Sequence, residues 1–300
     1  MKPIKAYTLG LVLASMTLLI TACSGGGSSA PAAPPNPNVA LTVNYKVEYV
    51  PVAPANPTMG KTTFQVRVTN LSDGTPAGGL DVLLAPMMNM TTMMGTMTHS
   101  TPVDKVTESS TPGTYDCTVY YIMASSSADT WELKVIVSGE TATFSPSVMA
   151  AAMPPKLRGQ TDDLITKGTG TETRTYFLLK DGPTTTTSIS LFIAAQENNK
   201  MSFSQVYSGA TLTTELDNPW TITTVSVEAT TDLVSWQSGT NTGTSGHWTL
   251  PISPNLSNGG TGTVYVRLIV DGAQKSTDGK LVSAPTDSNG YQTFFVEDGK

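Results

Sequence analysis

The sequence predicts an all-β chain of two tandem β-sandwich domains behind an export signal and a tether. Three observations carry this. Runs of alternating polarity recur: TFQVRVT (63–69) sets Phe64, Val66 and Val68 on one face and Gln65 and Arg67 on the other, and TWELKVIV (130–137) does the same with Trp131, Leu133, Val135 and Val137. Turn signals punctuate the runs, at SDG (72–74), SG (138–139), KDG (180–182), VDG (270–272) and TDG (277–279). A block also repeats. PGTYDCTVYYIMASSSADTWELKVIVSG ends at Gly139 and SGHWTLPISPNLSNGGTGTVYVRLIVDG at Gly272, with Gly113/Gly246, Thr130/Thr263 and Gly139/Gly272 at a constant offset of 133. Upstream, KTTFQV (61–66) aligns with KMSFSQV (200–206) at an offset near 139, which leaves roughly six extra residues in the first copy.

Residues 1–22 form the first element. Lys2 and Lys5 precede an apolar run, Leu9 to Ile20, too short and wrongly flanked for a membrane span, so this is a secretory signal. Its end, Ile20-Thr21-Ala22-Cys23, resembles the bacterial lipobox. That resemblance implies cleavage before Cys23, acylation of its thiol and a membrane anchor of several chains. Ser24, not Asp, follows the cysteine, which by resemblance to Gram-negative sorting rules implies the outer membrane. Residues 23–38 then read as a Gly/Ser tether that stiffens into a Pro-rich run and holds the fold away from the bilayer. Residues 39–150 form the first sandwich, 151–172 a linker of mixed prolines, glycines and charges, and 173–300 the second sandwich.

Composition excludes several classes of function. Removal of Lys2 and Lys5 with the signal takes the formal charge from −6 to −8, and no basic cluster offers a nucleic-acid surface. With Cys23 acylated, Cys117 is the one remaining thiol, so no intrachain disulfide forms and packing alone stabilises the fold. Cys117 alternates with Tyr115 and Val119, which points its thiol into a core. No nucleophile elbow, phosphate loop or His-x-x-x-His motif occurs, and the chain is not expected to be an enzyme. His247 reads as a surface residue at a strand start, and Asp162 and Asp163 as adjacent linker acids.

PMMNMTTMMGTMTH (86–99) stands apart. It places six methionines in the eleven positions Met87 to Met97 and ends on His99. Two readings stay open. Methionine fills cores, and Met87 and Met88 follow directly on the apolar strand LDVLLAP. Yet Asn89, Thr91, Thr92, Thr96 and Thr98 belong on a half-exposed segment, and the second copy has only PWTITTVSVEAT (219–230) at this place. Neutral thioethers prefer Cu(I) to Zn, Ca or Mg. On an extended hairpin loop Met87, Met88, Met90, Met93, Met94 and Met97 could supply several ligands and His99 an imidazole, for copper sequestration or delivery to an acceptor protein. The competing function is a structural or interaction lipoprotein in which the methionines are core or form a docking patch for an envelope partner.

GTPAGGLDVLLAPMMNMTTMM followed by GTYDCTVYYIMASSSADTWELKVIV resembles the YtkA-like (FixH-related) domain. Gly74-Thr75-Pro76, Pro86 to Met90, Gly113-Thr114-Tyr115 and Trp131-Glu132-Leu133 stand where that family has its strand-opening Gly-x-Pro, methionine-rich segment, Gly-x-Tyr and Trp-x-Leu. The resemblance covers residues 63 to 148. It implies an immunoglobulin-like sandwich in the periplasm, with a role in copper handling or in assembly of copper-containing respiratory enzymes; the tandem second domain departs from the family's pattern.

Overall fold

A computed structural model of the chain describes residues 36–92, 95–161, 163–198, 202–256, 261–284 and 286–299. The signal 1–22, Cys23, most of the tether, Met93 and Met94 lie outside these residues. The described secondary structure is all strand, and the named strands pair antiparallel.

The first sandwich comprises two sheets around one core. One sheet runs in the order β1 (Val39–Leu41), β2 (Tyr45–Ala53), β3 (Gly60–Asn70), β7 (Thr114–Tyr121) and β6 (Thr107–Glu108). The other runs β5 (Gly95–Ser100), β4 (Val82–Thr92), β8 (Asp129–Val137) and β9 (Glu140–Phe144). Phe64, Val66 and Val68 from β3 meet Trp131, Leu133, Val135 and Val137 from β8 in a shared core, as strict alternation requires. The end of the tether is tied to this sandwich, since Tyr49 N–H donates to Asn38 O.

The second sandwich has its own core. One sheet is β10 (Lys156–Arg158), β13 (Thr175–Lys180), β14 (Ser188–Gln196), β21 (His247–Pro251) and β20 (Thr240–Asn241), with β15 (Phe203–Gln205) also on β14. The other is β19 (Gln237–Ser238), β18 (Val225–Thr230), β22 (Thr261–Val270) and β23 (Ala273–Gln274), with β24 (Gln292–Glu297) also on β22. Two small hairpins complete it: β11 (Leu164–Lys167) with β12 (Gly170–Thr173), and β16 (Thr211–Thr213) with β17 (Pro219–Thr221).

The repeat has a structural counterpart at its C-terminal block. The β8–β9 and β22–β23 hairpins each turn on two residues with positive φ, Ser138 (47°) and Gly139 (88°) in one, Asp271 (48°) and Gly272 (80°) in the other. That is the turn whose twist suits a two-residue hairpin. The upstream match fails. Residues 61–66 lie in β3, beside β7, whereas in the second sandwich the strand beside β21 is β14, and 203–205 form only the short β15.

The Gly113-Thr114-Tyr115 motif earns its residues locally. Gly113 has φ +71°, and a Cβ there would lie 2.8 Å from Ala77 N and Val68 O. Tyr115 Oη donates to Ala77 O and accepts from Leu80 N, both at 3.0 Å, pinning the 74–80 turn onto β7. Residues 151–172 are not a free linker: they carry β10, β11 and most of β12, and Leu157 is fully buried in the second core.

Residues 36–300 form one compact unit. On β7, Tyr115, Cys117, Val119 and Tyr121 enter the first core, while Tyr120 points the other way. It joins Ile122, Leu179, Phe192 and Ala194 in a third buried cluster that links the sandwiches. The Tyr120 and Phe192 rings stack at 4.4 Å and 3°.

Candidate functional site

The methionine stretch is a hairpin of two strands, not a loop. β4 has 11 residues and β5 has 6, against 6 and 2 for β18 and β19, which occupy the same place in the second sandwich. The first sandwich thus carries a longer hairpin at this place than the second.

Register sorts its side chains. Met88 lies opposite Trp131 on one side and His99 on the other, and Met90 opposite Asp129 and Met97. Directly opposed residues share a face. Two rows therefore cross the sheet on its inner face, Trp131–Met88–His99 and Asp129–Met90–Met97. Met88 is fully buried in the core, Met90 packs against that core, His99 is partly buried and Met97 is 48% exposed. Met87, opposite Ser100, projects from the other face. Met88 is first of all a packing residue.

Burial, and then the positive charge of Lys167, push the His99 imidazole below its ordinary range. At neutral pH it is uncharged, with a ring nitrogen lone pair to offer. Cys117 offers nothing comparable. It lies on β7, in the other sheet from the hairpin, and burial, with Asp116 adding, pushes its thiol up to about 12. A thiol so protonated is neither nucleophile nor metal ligand. Among the described residues no three His, Cys, Asp or Glu side chains gather as a metal-binding group.

The second histidine is not the surface residue its sequence predicts. His247 Nδ1 lies 2.8 Å from Asp181 Oδ2 and Nε2 lies 2.9 Å from Asp104 Oδ2. Carboxylate oxygens only accept, so both ring nitrogens carry protons and the ring is a cation. The two carboxylates outweigh burial and raise its pKa to about 9. Asp181 also accepts from Tyr120 Oη at 2.6 Å and Lys61 Nζ at 2.8 Å. Burial alone would raise Asp181, but His247, Lys61 and Tyr120 together hold it well below the carboxylate range. Asp104, Lys61 and Tyr120 belong to the first sandwich, Asp181 and His247 to the second. This is a clamp between the two sandwiches, with no ring nitrogen left for acid–base work.

Asp163, a linker acid by its sequence, is 4% exposed and joins a second polar cluster. It pairs with Arg174 Nε at 2.8 Å and Lys275 Nζ at 3.0 Å, and accepts from Tyr176 Oη. Arg174 Nη1 reaches Glu197 at 3.0 Å and Gln196 O at 2.8 Å. Its charges are mutually satisfied, so it reads as structure. No sequence periodicity marks either cluster.

No family model and no curated protein matches the chain. Among solved structures, the Yersinia pseudotuberculosis adhesin InvE aligns with 85% of this chain and 60% of that one, at 14% identity and a TM-score of 0.27. The chain thus spans less than two thirds of that protein, and a likeness at this score carries no conclusion about function.

Proposed function

We propose that the chain is a bacterial envelope lipoprotein, anchored at the outer membrane through acylated Cys23, that binds Cu(I) on the β4–β5 hairpin to sequester copper or pass it to an acceptor protein. The observation that supports this is the register of the hairpin, which sets Met90 opposite Met97 and His99 opposite Met88 on one face. The partly exposed members, Met90, Met97 and His99, are the proposed ligands. Met88 forms the buried wall behind them, and Met87 is left out. Met93 and Met94 lie outside the described residues. Thioethers need no deprotonation and suit a soft monovalent ion, and a neutral His99 adds a stronger donor. The resemblance of residues 63–148 to the YtkA-like domain points the same way.

The test is an anaerobic Cu(I) competition titration of residues 24–300 beside a Met90→Leu/Met97→Leu variant, which keeps bulk and removes sulfur. The expected result is one ion per chain in the parent and its loss in the variant, with thermal unfolding unchanged. A parent that binds no copper sinks the reading. The second reading, a non-catalytic structural or interaction lipoprotein, is then favoured by the full burial of Met88 and by the clamp that joins the sandwiches.

A further inference from the structure

The outer face of the β10–β13–β14 sheet changes role along its length. Leu179, Phe192 and Ala194 are covered by Tyr120 and Ile122 of the first sandwich. Past that contact the same face, carried on by Phe177, opens into a cleft of about 220 Å³, with Met123 of the first sandwich and Phe203 of β15 in its walls. Phe177 and Phe203 meet edge to face at 5.6 Å.

Register fixes what faces the cleft. Lys156 lies opposite Phe177, and Arg158 opposite Thr175. Two apart on one strand, Lys156 and Arg158 lie about 7 Å from each other on the same face. Both line the cleft, and neither makes an ion pair among the described residues. The third cation, Lys167, pairs with Glu172, the acid in the lining, at 3.2 Å. The cleft thus combines an aromatic and thioether wall with two adjacent, uncompensated cations.

We propose that this cleft binds a small amphiphilic anion. A carboxylate or phosphate head is held by Lys156 and Arg158, the guanidinium offering paired N–H donors. The apolar body lies against Phe177, Phe203 and Met123. The volume is below the roughly 300–1,000 Å³ of drug-sized pockets, so the ligand is small. Binding relieves the repulsion between the cations and covers the half-buried rings of Phe177 and Phe203. None of this rests on the copper reading, and the test is run without metal.

Residues 24–300 would be titrated calorimetrically with 4-phenylbutyrate and with phenyl phosphate, and with 4-phenylbutanol as the uncharged control. At least one anion is expected to saturate a single site, and the two affinities tell a carboxylate from a phosphate ligand. Lys156→Gln/Arg158→Gln is expected to weaken that binding about tenfold or more, with thermal unfolding unchanged. Lys156→Gln alone, at an exposed position, keeps the test open if the double variant unfolds, with an expected loss of about threefold. The proposal is overturned if neither anion saturates below about 10 mM, if the alcohol binds as tightly, or if the variants bind like the parent.

Discussion

His247 and His99 lie on strands of different sandwiches, β21 and β5, and both are partly buried, yet they carry opposite protonation. Burial pushes each imidazole toward its neutral form. At His247 two carboxylates offset that push and hold a cation. At His99 no carboxylate does so among the described residues, and Lys167 adds to the push. The difference teaches that a lone histidine's role is set by which charges the fold brings to its two nitrogens. One ring is committed to joining the two sandwiches, and the other stays neutral.

The widest test of this contrast is to delete each ring. His247→Ala leaves Asp104 and Asp181 facing one another without their shared cation. Breaking a buried pair costs about 3–5 kcal/mol, and the partial exposure here reduces that to about 2–3 kcal/mol. For a unit of this size the melting temperature should fall by about 4–12 °C. His99→Ala should cost under about 1 kcal/mol in the same thermal unfolding experiment. Equal shifts for the two variants would show that the clamp is not what the distances describe.

Acidity probes the same pair without mutation. The folded pKa of His247, about 9, lies above its ordinary 6.5, so its contribution is complete below about pH 6.5 and drains away as pH rises through 9. Asp181 runs the other way: its folded pKa is lowered, so its contribution is present above the ordinary carboxylate range and is lost in acid. Chemical denaturation across pH should therefore show stability falling by about 2–3 kcal/mol between pH 6.5 and 9.5, and His247→Ala should flatten that limb. A parent profile that is flat to pH 10 would contradict a protonated His247.

How much of this is legible in the amino-acid sequence follows from the range of each interaction. Alternation in β3 and β8 is a signal of period two, and it alone places Phe64, Val66, Trp131 and Leu133 on the core face they occupy. The Ser138-Gly139 and Asp271-Gly272 turns are legible because both central residues must take positive φ. Cys117 is readable from its neighbours Tyr115 and Val119. The clamp is not, because His247 meets partners 66 and 143 residues away, and nothing local distinguishes it from an exposed histidine. Asp163 passes for a linker acid for the same reason, its ammonium partner Lys275 being 112 residues distant. At the methionine stretch, spacing puts Met88 and Met90 on one face. The same spacing sets Met87 on the other face, and pairing Met88 and Met90 with His99 and Met97 requires the register of two strands.

His99 carries the next prediction, smaller in energy. If its neutral ring is a copper ligand beside Met90 and Met97, His99→Ala should weaken Cu(I) binding by about tenfold, or about 1.4 kcal/mol, while His247→Ala leaves it unchanged under conditions where that variant is folded. A His247 variant that loses copper as readily would mean that the ion sits elsewhere or that the metal site depends on the clamp.

The smallest expected effect sharpens the clamp itself. Tyr120 contributes twice, through its ring on Phe192 and through its hydroxyl to Asp181, and Tyr120→Phe keeps the first while removing the second. Asp181 retains His247 and Lys61, so no charge is stranded, and the cost should be about 1 kcal/mol. Tyr120→Leu removes the stack as well and should cost roughly 1 kcal/mol more. The informative quantity is the coupling between Tyr120→Phe and His247→Ala in a double-mutant cycle read by denaturant unfolding. Because both side chains donate to the same carboxylate, the cycle should return a coupling of about 0.5–1 kcal/mol. Strict additivity would mean that the hydroxyl and the imidazolium act on Asp181 independently, and that the clamp is a set of separate contacts with no shared centre.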